Sequence, residues 1–187
     1  MRKTKREHLL RVAERLFYEE GFHATGIDRI VTEAGVTRMT LYNHFASKTE
    51  LIRGVLAARH DRYRRALCEA IEARGQESAL GALVAVQSDW LRARAQHGCM
   101  VIKAIAEFQR HDSAIAADAL VLKRDLLGII DWVLELDGIA RSGAAQEVLM
   151  VLEGSNALVP VLGLENVLSS MQSLLSSWLV PAQEASA

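Results

Sequence analysis

Proline and cysteine are nearly missing from these 187 residues, with two of each. So few prolines leave long stretches free of the residue that interrupts helices. Apolar positions recur at spacings of three and four almost throughout, which argues for an all-α chain with little room for a sheet. The cysteines, Cys68 and Cys99, stand outside any CxxC or Cys/His metal spacing. They cannot make a disulfide framework, and a reduced compartment is the expectation. The six histidines are scattered without ligand spacing, so no metal is expected. No apolar run approaches the roughly 18 residues that span a bilayer, and the opening "MRKTKREHLL" is charged where a signal peptide has its apolar core. A soluble, cytoplasmic protein with no membrane partner is expected. There is no GxSxG, no HExxH, no recognisable pair of catalytic carboxylates and no phosphate-binding glycine loop, so an enzyme is unsupported and no cofactor is implied.

What the chain does have is unevenly spread. A formal net charge of −1 conceals a basic first third: residues 1–65 hold 14 Lys+Arg against 8 Asp+Glu, net +6, and the remainder holds 8 against 15, net −7. A basic segment on an acidic remainder suggests that the first third meets a polyanion, although a chance surface imbalance would give the same sum.

The first third also carries short helices with strong punctuation. Leu9, Val12, Ala13, Leu16 and Phe17 form one stripe of a helix that Gly21 closes as a left-handed cap. In "TGID", Thr25 is placed to cap a second helix, with Asp28 in its first turn and Ile27, Ile30, Val31 and Ala34 inward. "AGVT" supplies a bend at Gly35, a corner plug at Val36 and a cap at Thr37 for a third helix of about 38–45, whose buried stripe is Leu41 and Phe45. "SKTE" is a capping box opening a fourth helix through Leu51, Ile52, Val55 and Leu56. Two short helices about a glycine turn, with a supporting helix on each side, make a helix-turn-helix, and its second helix is the one that enters a major groove.

On that helix or beside it lie Thr37, Arg38, Thr40, Tyr42, Asn43 and His44, followed by Lys48 at the next helix start; Thr25 is counted with this DNA-facing set. Arginine grips guanine through two hydrogen bonds, and hydroxyl, phenol and imidazole groups reach phosphate oxygens. Capping alone would explain Thr37 and Ser47, packing Tyr42, and an ordinary surface His44. The constellation as a whole, with the basic arm, is what favours DNA.

The segment "AERLFYEEGFHATGIDRIVTEAGVTRMTLYNHFASKTELI", within about residues 7–60, resembles the DNA-binding domain of the TetR family of bacterial transcriptional regulators. Met39 stands where a small residue is common, and Ala46 where proline is usual. The resemblance implies an all-helical, Ω-shaped homodimer of about nine helices per chain on a palindromic double-stranded operator. It implies base contacts from Thr37, Arg38 and Thr40, and phosphate or sugar contacts from Tyr42, His44 and Lys48, with Asn43 in a less defined role. The expected division is a helix-turn-helix domain at 1–50 and a helical ligand-binding and dimerisation domain at 51–187, linked by the helix from about 48.

Beyond Arg65, helices are expected at about 78–96, 100–109, 113–137, 143–162 and 165–179. The last has Leu164, Val167, Leu168, Met171, Leu174, Leu175 and Trp178 in one stripe, and its predecessor is apolar on more than one side. A helix that needs two buried faces suits a dimer interface built from the last two helices, against the simpler reading of a monomer core. The resemblance further implies a cavity for an unidentified small-molecule effector among the middle helices. Trp90, Met100, Phe108 and Trp132 are its candidate walls; Gln87, Lys103, Glu107, His111 and Asn156 are its candidate polar groups. For each one singly, core packing or a Lys103–Glu107 surface pair is the better account, and only as a set do they suggest a pocket. Cys99, at a helix start with Lys103 one turn on, is a possible redox or electrophile sensor, or else a small buried residue. The functional expectation is a ligand-responsive repressor, with an activator, a corepressor-dependent regulator or a Cys99-based sensor as alternatives.

Overall fold

The computed structural model describes residues 4–94 and 97–177, and among these it contains nine helices and no strand. They are α1 (Lys5–Glu20), α2 (Ile27–Ala34), α3 (Arg38–Tyr42), α4 (Lys48–Ala73), α5 (Ala79–Arg94), α6 (Met100–Phe108), α7 (Ser113–Leu136), α8 (Ala144–Leu162) and α9 (Leu164–Ser176). None is long and apolar enough to cross a membrane. The chain divides into two compact units: the residues up to Arg62 with Met100–Leu122, and Tyr63–Cys99 with the residues from Lys123 on. By compaction, then, α6 and the first part of α7 go with the helix-turn-helix.

In the first unit, α1 opens with a complete capping box. Thr4 Oγ1 accepts from Glu7 N–H, and the Glu7 carboxylate accepts from Thr4 N–H, which satisfies two otherwise orphaned donors. Leu9, Leu10, Ala13, Leu16 and Phe17 line its inner face, and Ile30, Val31 and Ala34 of α2 pack against it. Each buried Leu, Ile or Phe contributes on the order of 2 kcal/mol by leaving water. Phe22 stacks between Phe17 and Phe108, 5.5 Å from each ring centroid. Gly21 differs from the expectation: φ is +92° but ψ is 160°, outside the left-handed helical well, and its N–H still closes α1 on Phe17 O. Gly35 does adopt that well, φ +62° and ψ 37°. There a Cβ would crowd the following carbonyl, so glycine makes the corner between α2 and α3 without strain.

One polar cluster is buried among these apolar side chains. Glu14 on α1 accepts from Arg59 and Arg62 on α4, with Arg59 Nη1 at 2.9 Å, and the Arg59 guanidinium lies 4.8 Å from the Tyr18 ring centroid. Further along the unit, His23 N–H donates to Glu107, Thr49 Oγ1 to Asp112 at 2.9 Å, and Arg53 Nε to Asp118 at 2.5 Å. These bonds tie α6 and the start of α7 to the loop before α2 and to α4.

The second unit has an apolar core from α4, α5, α7, α8 and α9, including Leu67, Leu83, Leu91, Ile130, Val148, Leu152 and Met171. Asp137 caps α5 across the unit, accepting from Ser78 Oγ and from the Ala79 and Leu80 amides at 2.8 Å each. On α9, Val167, Leu168, Met171 and Leu175 are buried as the periodicity predicts, but Leu174 is exposed; Trp178 lies outside the described residues. On α8, Val148 and Leu152 point inward, while Met150 and Val161 stay 67% and 74% exposed. The double-sided apolar character read from the sequence is therefore present, with one side uncovered in a single chain.

Candidate nucleic-acid interface

The turn Gly35–Val36 sets α3 against α2, and Thr37 begins α3 as its N-cap, its Oγ1 accepting from Thr40 N–H at 3.1 Å. Leu41 and Phe45 are buried, which forces the rest of the segment outward. Arg38, Met39, Tyr42, Asn43 and His44 are exposed, Met39 at 75%. The expected helix of 38–45 is shorter: it ends at Tyr42, and Asn43 and His44 form a tight turn with the His44 amide on Leu41 O. This three-residue bond draws the end of the element in, while Phe45 N–H keeps its bond to Leu41 O and its ring in the core.

Arg38 is not a loose surface side chain. Its Nε donates to Asp28 Oδ1 at 2.5 Å and its Nη2 to Asp28 Oδ2. The hydrogen bond from Arg38 holds the Asp28 carboxyl below its ordinary value, and the same bond raises the Arg38 guanidinium. The Thr37 and Thr40 hydroxyls lie 3.0 Å apart and bond each other. Lys48, half-buried at the start of α4, sends Nζ toward His23 O at 3.5 Å; burial pulls its ammonium down and Glu107 partly restores it. Ser47 accepts from Glu50 N–H as the capping box requires, but the Glu50 carboxylate turns to Arg53.

Thr25 has to be corrected on both counts. The N-cap of α2 is Gly26, without a side-chain cap bond. Thr25 is fully buried, and its hydroxyl donates to Gly21 O at 2.8 Å with Leu16 O at 3.3 Å, so it braces α1 from inside and presents nothing to DNA. Asp28 and Met39, by contrast, reach this surface without having been counted in the DNA-facing set. Met39 is a large exposed apolar group on α3, legible from its position; the Asp28–Arg38 pair spans ten residues and a turn, beyond any local pattern.

The candidate effector residues fall into separate groups. In the second unit, Tyr63 O–H donates to Gln87 Oε1 at 2.9 Å, and Gln87 Nε2 donates to Ser155 Oγ and Asn156 Oδ1 at 3.3 Å each. The Trp90 ring meets Tyr63 edge-on at 5.1 Å. Asn156 continues to Glu153, which pairs with Lys123. Burial acts to lower the Lys123 ammonium, but Cys99 and Glu153 outweigh it and leave it raised. Gln87, Trp90 and Asn156 are thus brought together, joined by Tyr63, Ser155, Glu153 and Lys123, which periodicity did not single out. Met100, Lys103, Glu107, Phe108 and His111 belong to the first unit. There Met100 and Phe108 are core, His111 is exposed, Glu107 serves His23, and Lys103 Nζ sits 5.5 Å over the Tyr18 ring. Trp132 is 40% exposed on α7, where Ile130 and Val133 are buried. Cys99 is half-buried directly before α6, outside any disulfide, and interacts with Lys123 by charge and hydrogen bond. Among the described residues no cluster of three metal-ligating side chains occurs.

Comparison with known proteins follows this geometry. Residues 9–55 match the model of the bacterial regulatory proteins of the tetR family. The chain is 46% identical over 55 residues to the HTH-type transcriptional activator FasR of Mycolicibacterium smegmatis, covering 29% of this chain and 25% of that one. It is 35% identical over 80 residues to the HTH-type transcriptional repressor KstR2 of Rhodococcus jostii, covering 41% and 39%. The matched region thus spans well under half of these curated relatives. Over its length the fold superimposes on the crystal structure of a TetR-family transcriptional regulator from Streptomyces coelicolor, with TM-score 0.82, 29% identity and 94% of each chain covered. Residues 9–55 thus carry the tetR-family segment, and the relatives and the fold are those of TetR-family transcription regulators.

Proposed function

We propose that this protein is a homodimeric, ligand-responsive DNA-binding regulator, a repressor released from a palindromic operator by a small molecule. The observation that carries the reading is the outer face of the segment from Thr37 to His44, where the buried position is the apolar Leu41 and the exposed ones are threonine, arginine, methionine, tyrosine, asparagine and histidine. An α-helix of this width fits a major groove, and the basic first third of the chain supplies the phosphate attraction. Thr37, Arg38 and Thr40 are assigned to base edges, and Tyr42, His44 and Lys48 to the backbone, with Asn43 a further contact on the same face.

The second copy docks through α8 and α9. Met150, Leu158, Val161, Leu162 and Leu174 form an exposed apolar set there, and a shallow groove lined by Val151, Leu158, Leu162 and Met171 opens on the same helices. The effector is recognised in the second unit, where the Tyr63–Gln87–Asn156 bonds put hydrogen-bonding groups inside an apolar core. Effector binding favours a dimer whose two α3 helices no longer match successive major grooves, about 34 Å apart, and operator affinity falls by the ratio of effector affinities for the two states.

The relatives include an activator and a repressor by name, so activation is the second reading of the same DNA-binding element. A thiol-based response is carried by a different observation, the half-buried Cys99 thiol in charge and hydrogen-bond interaction with Lys123. Selection from a pool of random duplex DNA tests the central reading. Enrichment of an inverted repeat with half-site centres one helical turn or a multiple apart supports it; no enrichment rejects it. Mild peroxide that weakens binding by wild type but not by Cys99→Ser supports the thiol response, and equal behaviour removes it.

A further inference from the structure

The guanidinium of Arg38 has two hydrogen-bonding edges, and the structure commits one of them. Nε and Nη2 form the side edge, and both donate to the two oxygens of Asp28. That leaves the end edge, Nη1 and the second N–H of Nη2, unspent by this pair. The end edge still offers two parallel donors, which match the O6 and N7 acceptors of guanine. Arg38 and Asp28 are 64% and 69% exposed at their side chains, so the pair stands in solvent. A solvated ion pair adds little to folding stability, and its value lies elsewhere. A long side chain held in one rotamer gives up less conformational freedom on contacting a base than a free arginine does. The paired guanidinium also offsets the negative charge that Asp28 would otherwise present to an approaching phosphate.

We propose that Asp28 is a positioning residue for base recognition, which holds Arg38 with its end edge outward so that each half-site is read as guanine at one fixed base pair. The inference rests on the DNA-binding reading and adds to it the base, the reading edge and the residue that sets it. Asp28 lies on α2, outside the recognition helix, so the specificity of α3 is partly written in its neighbour. The lowered carboxyl of Asp28 keeps the pair intact through the physiological range.

The test is selection from random duplex DNA with the full-length chain, wild type against Asp28→Asn, Arg38→Ala and the double variant, with thermal unfolding followed in parallel. Wild type should select a motif with a guanine in each half whose preference is lost in Arg38→Ala. In Asp28→Asn the preference at that base pair should fall by about tenfold, within the range one bidentate contact provides. The other positions of the motif and the unfolding midpoint should not move. The double variant should match Arg38→Ala, because Asp28 acts only through the arginine. A wild type that selects no motif overturns the DNA-binding reading itself. A wild-type motif that Asp28→Asn reproduces unchanged leaves that reading standing and overturns this inference. So does a loss of preference spread over all positions, or a further loss in the double variant.

Discussion

Single side chains decide more here than their spacing discloses. Thr25 sits in a stretch that reads as a helix cap, yet it is sealed inside, with its hydroxyl on Gly21 O. Thr25→Val keeps the shape and removes that bond. Stability should fall by about 1 kcal/mol in denaturant unfolding, and DNA affinity of the folded protein should be unchanged; a selective loss of DNA affinity would return Thr25 to the interface. Tyr63 is the second case, buried and bonded to Gln87, with burial as the first cause holding its phenol above the ordinary 10.0 and the nearby Glu153 and Cys99 adding to it. A raised folded-state pKa means that the contribution to stability is fully present below the unfolded value and is lost as pH rises beyond it. Tyr63→Phe should therefore be less stable than wild type at pH 8, where Gln87 loses its donor. The gap should narrow above pH 10, where the unfolded wild-type tyrosine ionises and the folded one resists. A constant gap across that range would show that Tyr63 titrates alike in both states. Both assignments come from partners far apart in the chain, which periodicity does not report.

At the scale of elements, much was legible. Thr37, Gly35, Ser47 and the apolar stripes put the helix starts and ends within a few residues of where they lie, because caps and left-handed glycines act locally. The recognition element is shorter than its apolar spacing predicts because its last residues tighten into a turn while Phe45 keeps its helical bond, and a spacing of four is satisfied either way. The ion cluster that joins α1 to α4 was not legible. Glu14 is a charged residue on α1 outside its apolar stripe, and only the packed structure shows Arg59 and Arg62 closing over it. Glu14→Gln leaves two arginines with an uncharged acceptor in a buried site. The cost should be about 3 kcal/mol, read as a lower denaturation midpoint with an unchanged denaturant slope. A shift within a few tenths of wild type would mean that the cluster is solvated and does not tie the helices.

For the whole molecule, charge asymmetry and the two-sided α8 were the long-range facts available in the sequence, and they pointed to DNA for one end and a second chain for the other. The effector set was the least legible part. Aromatic and polar residues at helical spacing do not reveal which compact unit they join, and the proposed set divides between two. If α8 and α9 form the dimer interface, Met150→Glu with Val161→Glu should shift sedimentation from dimer to monomer without loss of helical circular dichroism. A double variant that remains dimeric would move the interface elsewhere. Paired recognition helices are also required to read both half-sites at once, so the same variant should bind a full operator with little more affinity than a single half-site.

The most direct measurement is equilibrium binding of the purified chain to its selected duplex and to unrelated DNA across salt concentrations, for wild type, Tyr42→Ala and Lys48→Ala. The account predicts a steep salt dependence for wild type, binding to the selected duplex at least about a thousandfold tighter than to unrelated DNA, and weaker binding in both variants. The salt slope for Lys48→Ala should be shallower by about one unit. Equal affinity of the wild type for both duplexes, or variants indistinguishable from wild type, would contradict the assignment of this face to DNA.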